Sequence, residues 1–302
     1  MNFILSWLHS SAQKHTAPIL RAEEVREAPP DVVEELDIPY SGGTGTPLAA
    51  DVYRPAAPAE WLLPTAVMLH GGGLFAGTRK INRAFCEKLA QRGFLVFALE
   101  YRLISDADAF GIISDVCGGF DFVQDNLQRY GGDPGRVCVI GESAGGYLSL
   151  YATALTRSHS LQSMLGLRPP RLRPFAFVGV CGMFYTTRFD PLGLVYRKDL
   201  YGERRKDRIF MDRINPENPS VISHLPPVLL TSSRGDFLRG YTLRFAQALE
   251  DMEYPHELVY FPEGTHLKHA FPSLKPSLPE SEEVMTKMIA WLKSLPSSPV
   301  RS

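Results

Sequence analysis

Short apolar runs alternate with longer amphipathic stretches from about residue 65 to the end of the chain. Ala66-Val67-Met68-Leu69 reads as a buried strand, and residues 82–92 after it carry a helical period. Residues 94–99 are again continuously apolar. A long helix is predicted over 114–130, where Val116, Phe120, Val123 and Leu127 share a face. Val137-Cys138-Val139-Ile140 is the next strand, with Tyr147, Leu148, Leu150, Tyr151, Ala154 and Leu155 marking a helix directly behind it. Further strands are predicted at 175–180, 226–232 and 257–261, and helices at 241–252 and 280–295. Upstream, residues 35–41 and 48–54 read as an antiparallel pair around a turn containing Gly42, Gly43 and Gly45. Strands that alternate with helices predict an α/β fold: a mostly parallel eight-stranded sheet with helices on both faces, led by the antiparallel pair.

Two segments depart from this alternation. Residues 1–30 predict one or two helices with Phe3, Ile4, Trp7 and Leu8 on one face, ended by Ala28-Pro29-Pro30. Residues 183–218 are aromatic and charged, show no strand pattern and are too long for a plain loop. Both are expected to form a helical cap on a single domain covering residues 1–302.

Composition narrows the partners. The 302 residues allow a sizeable core, and a formal net charge of −1 gives no reason to expect nucleic acid or an anionic membrane as a partner. Cys86, Cys117, Cys138 and Cys181 are scattered through apolar runs without metal-ligand spacing, as expected for reduced core thiols. The apolar run at the N-terminus has no basic region before it and is broken by Ser6 and His9. Neither a signal peptide nor a membrane span is expected, which makes cytoplasmic the default location.

Chemistry enters at Gly141-Glu142-Ser143-Ala144-Gly145, between a predicted strand and a predicted helix. That context suits a nucleophile elbow, in which a sharp turn pushes a serine hydroxyl out of the sheet edge. Such a serine needs a base, an acid that orients the base, and donors for an oxyanion, each just beyond a strand. His70-Gly71-Gly72-Gly73 follows a central strand, so the Gly72 and Gly73 amides are candidate donors together with that of Ala144. Asp236 follows the strand at 226–232 and is the candidate acid; helix capping is its ordinary alternative, and Asp251 and Glu263 are weaker rivals. His266 and His269 both qualify as the base, and the apolar anchor Ala270-Phe271 favours His269. His256 precedes its strand, at the wrong edge of the sheet. Neither Gly-Lys-Ser/Thr nor a Gly-x-Gly-x-x-Gly opening a helix is present, which argues against a nucleotide phosphate as ligand.

These motifs, with Glu100-Tyr101-Arg102-Leu103, Tyr130-Gly131-Gly132-Asp133-Pro134, Leu225-Pro226-Pro227, Gly235-Asp236-Phe237-Leu238 and His269-Ala270-Phe271, resemble the hormone-sensitive-lipase-like carboxylesterases of the α/β-hydrolase superfamily. The likeness spans about residues 65–295. It implies an α/β-hydrolase fold, Ser143 as nucleophile, Asp236 as acid and His269 as base. It also implies an oxyanion hole from Gly72, Gly73 and Ala144, and a cap from the N-terminal segment and the insertion after the sixth strand. The implied reaction is hydrolysis of short- to medium-chain acyl esters without cofactor or metal. Departures are Glu142 where the family usually has Asp, Ile104-Ser105 after Tyr101-Arg102-Leu103, and a longer loop from Gly264 to His269.

The same triad would serve an amidase, an arylformamidase or a sugar-ester deacetylase, because the pocket and not the triad separates them. A non-catalytic receptor of this fold would be expected to lack a triad residue, and all three are present. An interfacial lipase would need a larger apolar lid than Phe184, Phe189, Leu192, Leu194 and Val195 provide, while Arg188, Tyr196 and Arg197 are candidates for binding a polar substrate but read first as solvated groups on a mobile lid. The expected partner is a small-molecule ester, and a homodimer is left open.

Overall fold

The structure is a computed structural model and describes residues 3–297. Eight strands form one sheet in the order β1-β2-β4-β3-β5-β6-β7-β8. They are β1 (Val32–Ser41), β2 (Pro47–Pro55), β3 (Leu63–Leu69), β4 (Leu95–Leu99), β5 (Gly132–Glu142), β6 (Ala176–Val180), β7 (Val228–Ser233) and β8 (His256–Phe261). β2 runs antiparallel to both β1 and β4, and all remaining neighbours are parallel. This is the α/β-hydrolase architecture.

The central strands are apolar on both faces because helices cover both. Along β3, Val67 and Leu69 face one core and Ala66 and Met68 the other. β5 repeats the alternation with Val137 and Val139 against Cys138 and Ile140. The first core is closed by α3 (Ala109–Tyr130), α4 (Ala144–Leu155) and α9 (Arg239–Asp251). The second is closed by α2 (Arg83–Gln91) and α11 (Pro279–Ser294). Asp108 caps α3 by accepting from Gly111 N at 2.9 Å, which places the helix start ahead of the expected residue 114. A short helix after α4, α5 (His159–Leu165), was not expected from the pattern.

The N-terminal segment forms one helix, α1 (Phe3–Glu24). The side chains of Phe3, Ile4, Trp7 and Leu8 lie outside the described ones. Arg83 at the start of α2 donates to the carbonyls of Glu23 and Arg26, and Arg26 pairs with Glu87. The insertion folds as α6 (Pro191–Tyr201), a 3₁₀ turn (Gly202–Lys206) and α7 (Arg208–Arg213), followed by α8 (Pro219–Ile222). Its inner face is packed, while Phe189, Leu194 and Ile209 are exposed. Tyr196, Leu200, Tyr201, Phe210 and Ile214 are buried, and the Tyr201 hydroxyl bonds to those of Tyr147 (3.0 Å) and Thr186 (2.6 Å). Phe184 belongs to the core against Phe245, not to an apolar lid. Arg188 pairs with Asp190, and Arg197 lies over the Phe189 ring. Among the described residues, no helix is long and apolar enough to cross a membrane.

Candidate active site

Four loops meet beyond the C-terminal ends of β3, β5, β7 and β8. The loop after β5 turns at Ser143, which adopts φ 49° and ψ −114°, a conformation that non-glycine residues rarely occupy. The turn is held by its own amides: Ser143 N donates to Val180 O at 2.9 Å, and Ser143 O accepts from Gly146 N (2.9 Å) and Met183 N (2.8 Å). A side chain at Gly145 would collide with the carbonyls of Leu69 and His70, so only glycine lets α4 approach β3 so closely.

The structure brings Ser143, His269 and Asp236 together. His269 Nε2 lies 2.8 Å from Ser143 Oγ, and His269 Nδ1 lies 2.6 Å from Asp236 Oδ1. Asp236 is fully buried and accepts two further bonds, from Ser232 Oγ to Oδ2 at 2.7 Å and from Leu238 N to Oδ1 at 2.9 Å. Burial alone would raise its carboxyl, yet His269, Ser232 and Leu238 together hold it below the usual aspartate range. Asp236 therefore remains a carboxylate facing the imidazole. Its bond to Leu238 N also supports the turn into α9, which begins at Arg239 and has no side-chain cap of its own, so the same carboxylate faces both the imidazole and the helix start.

Of the two candidate bases, only His269 reaches the serine. His266 is exposed and pairs with Glu280 at 3.0 Å. Asp251 sits at the end of α9, where Gln247 donates to it, and Glu263 is exposed in the turn after β8. Phe237, 67% exposed, places its ring centroid 4.3 Å from that of His269. Cys181 Sγ shares a cluster with Asp236 and His269, all within 4.8 Å. Burial and the Asp236 charge push the Cys181 thiol up, so it stays protonated, and the other two groups are already bonded to each other.

The three candidate oxyanion donors are aimed by the far side of their own peptide planes. A trans peptide points its N–H opposite its C=O, so holding the carbonyl orients the amide. The Gly72 amide shares its plane with Gly71 O, which His70 Nδ1 holds at 2.8 Å. The Gly73 amide shares its plane with Gly72 O, which accepts from Phe75 N and Ala76 N, both at 3.1 Å. The Ala144 amide shares its plane with Ser143 O, held as described above. Gly72 sits at φ 104°, and a Cβ there would collide with Ala76 O. His70 is itself buried, stacked on Tyr101 at 4.2 Å, with Nε2 2.9 Å from Glu100 Oε1. Burial would raise the Glu100 carboxyl, but His70 and Arg79 hold it below the ordinary glutamate range.

Sequence reasoning did not single out Tyr101, Ser232, Asn82 or Ser273 as supports, and it placed Tyr196 on a solvated lid. Tyr196 is instead buried, and its hydroxyl donates to Gly73 O at 2.6 Å. No local motif marks such a residue, because its partner lies far away in the chain.

A serine flanked by a hydrogen-bonded imidazole–carboxylate pair, with three oriented amides nearby, can carry out acyl transfer. The family model BD-FAE matches residues 50–233. A probable isoprenylcysteine alpha-carbonyl methylesterase of Arabidopsis thaliana is 32% identical over 232 residues, covering 72% of this chain and 53% of its own length. The ethyl acetate hydrolase of Pseudomonas putida is 27% identical over 250 residues, covering 78% of this chain and 76% of its own. This chain spans about half the length of several of the curated relatives it matches. Among solved structures, esterase B from Lactobacillus rhamnosis superposes with a TM-score of 0.84 at 24% identity, covering 96% of this chain and 95% of the other. The fold expected from the motifs is borne out by these matches.

Proposed function

Because the chain belongs to the BD-FAE family, we propose that it is a serine carboxylesterase acting on short- to medium-chain acyl esters through an acyl-enzyme on Ser143. The carrying observation is the continuous relay from Ser143 Oγ through His269 to Asp236, with bonds of 2.8 and 2.6 Å. Ser143 attacks the ester carbonyl while His269 Nε2 takes its proton. The developing oxyanion lies against the amides of Gly72, Gly73 and Ala144, where one such donor is typically worth about 3 kcal/mol. His269 then protonates the leaving alcohol and activates the water that releases the acid. Asp236 keeps the proton of the neutral imidazole on Nδ1, so that Nε2 faces the serine.

Relatives named for hydrolysing ethyl acetate and a prenylcysteine methyl ester support an ester as the substrate bond. The cap belongs to the same proposal: residues 183–218 press Tyr196 against the oxyanion loop, and the N-terminal segment is anchored to α2 beside it.

Purified protein and Ser143→Ala, assayed on p-nitrophenyl esters of increasing chain length with an arylformamide alongside, test this reading. The native protein should turn over short esters, and the variant should lose about 10⁴-fold or more. Folded native protein that hydrolyses no ester would overturn the proposal, and turnover of the formamide alone would mark an amidase.

A further inference from the structure

Gly73 is a joint of the oxyanion loop with backbone freedom on both sides. It has no side chain to restrict it and sits at φ 64° with Leu74 after it at φ 62°. The peptide before Gly73 is held by the bonds to Gly72 O, but the peptide after it needs a partner for Gly73 O. That partner is Tyr196 Oη, at 2.6 Å. Tyr196 is buried, its ring lies 5.5 Å from that of Phe75, and Phe75 N is one of the two donors to Gly72 O. One side chain from the insertion therefore secures the loop on both sides of Gly73.

The helix that carries Tyr196 is tied to the other site elements as well. Asp190 caps the start of α6 by accepting from Gly193 N at 2.8 Å. The same carboxylate accepts from Tyr241 Oη on α9, the helix that follows Asp236, at 2.8 Å. At its other end Tyr201 bonds to Tyr147 on α4, the helix that follows Ser143. Helix α6 thus spans the nucleophile, acid and oxyanion elements.

We propose that Tyr196 is a positioning residue that completes the oxyanion hole from the insertion by fixing Gly73, an inference that rests on the esterase reading above. Its hydroxyl bonds to Gly73 O and to none of the triad side chains. Its loss should therefore weaken the transition state while leaving ester binding almost unchanged.

The test is Tyr196→Phe in the full chain, which keeps the ring and removes the hydroxyl. Steady-state kinetics on p-nitrophenyl butyrate should show kcat lowered about tenfold with KM unchanged within about twofold. The inhibition constant of an alkyl trifluoromethyl ketone, which forms a tetrahedral oxyanion on the serine, should rise by a similar factor. Tyr185→Phe removes another buried hydroxyl of the insertion, one that donates to Glu217 at 2.7 Å and does not touch the loop, and it should keep the native kcat. Gly73→Ala, whose Cβ would stand 3.0 Å from the Tyr196 hydroxyl, probes the same joint from the loop side and should also lower kcat at unchanged KM. Native kcat and ketone affinity in Tyr196→Phe would overturn the proposal, as would an equal kcat loss in Tyr185→Phe, which would assign the effect to packing. If native protein neither hydrolyses the ester nor binds the ketone, the esterase reading itself fails, and this inference fails with it.

Discussion

Ser273 Oγ donates to Glu142 Oε2 at 2.6 Å, joining the residue before Ser143 to the short helix α10 (Phe271–Leu274) that follows His269. Asn82, just ahead of α2, donates to the same carboxylate oxygen. The buried Glu142 thus links the Ser143 turn, the loop that carries His269 and the segment that follows His70-Gly71-Gly72-Gly73. Ser273→Ala removes the link to the base loop and leaves the Asn82 bond in place. It should cost about 1–2 kcal/mol in urea unfolding and lower kcat, because His269 loses its tie to the serine turn.

His266→Ala should leave kcat/KM within about twofold of native, since a surface pair of this kind is typically worth less than 1 kcal/mol. His269→Ala should abolish most turnover. Kinetics of the two variants side by side check the assignment of the base; a large loss in His266→Ala would reverse it.

Gly235→Ala should damage both stability and activity. A Cβ there would stand 2.5 Å from Thr265 O and collide with Leu267 O, in the loop that delivers His269. Accommodating it forces that loop away from Asp236. Overpacking of this type costs about 1–3 kcal/mol, and the activity loss should exceed what the unfolded fraction explains. Denaturation and kcat measured on the same sample separate the two effects.

Glu100→Gln tests the support beneath His70. The Glu100 carboxyl is held below its ordinary value of about 4.5, so its ionised form stabilises the fold fully above that pH. The stabilisation is lost as pH falls from there through the lower folded value. The variant should be less stable than native by about 2 kcal/mol at pH 7, and the gap should narrow only below about pH 4.5. Chemical unfolding at a series of pH values measures this; a gap that closes already between pH 7 and 5 would contradict the assignment.

The alternation of apolar runs with amphipathic helices was enough to establish the sheet and its two covered faces. Val137 to Ile140 has to be a buried strand, and the glycines around Ser143 have to mark a tight strand-to-helix turn, because both follow from local sterics and period. The order Ser143, Asp236, His269 was legible for the same reason: each lies just beyond a strand, and parallel strands deliver their ends to one edge. Between His266 and His269, which lie in one loop, the sequence preferred His269 on the Ala270-Phe271 anchor and chiefly on the family resemblance. The structure separates them: zipping of that loop against residues 233–235 turns His269 inward and leaves His266 to Glu280. Tyr196 was beyond sequence reading altogether. Its bond to Gly73 O depends on how the insertion packs over α3 and α4 and reaches a carbonyl in a distant loop, and contacts between segments so far apart are set by the assembled core.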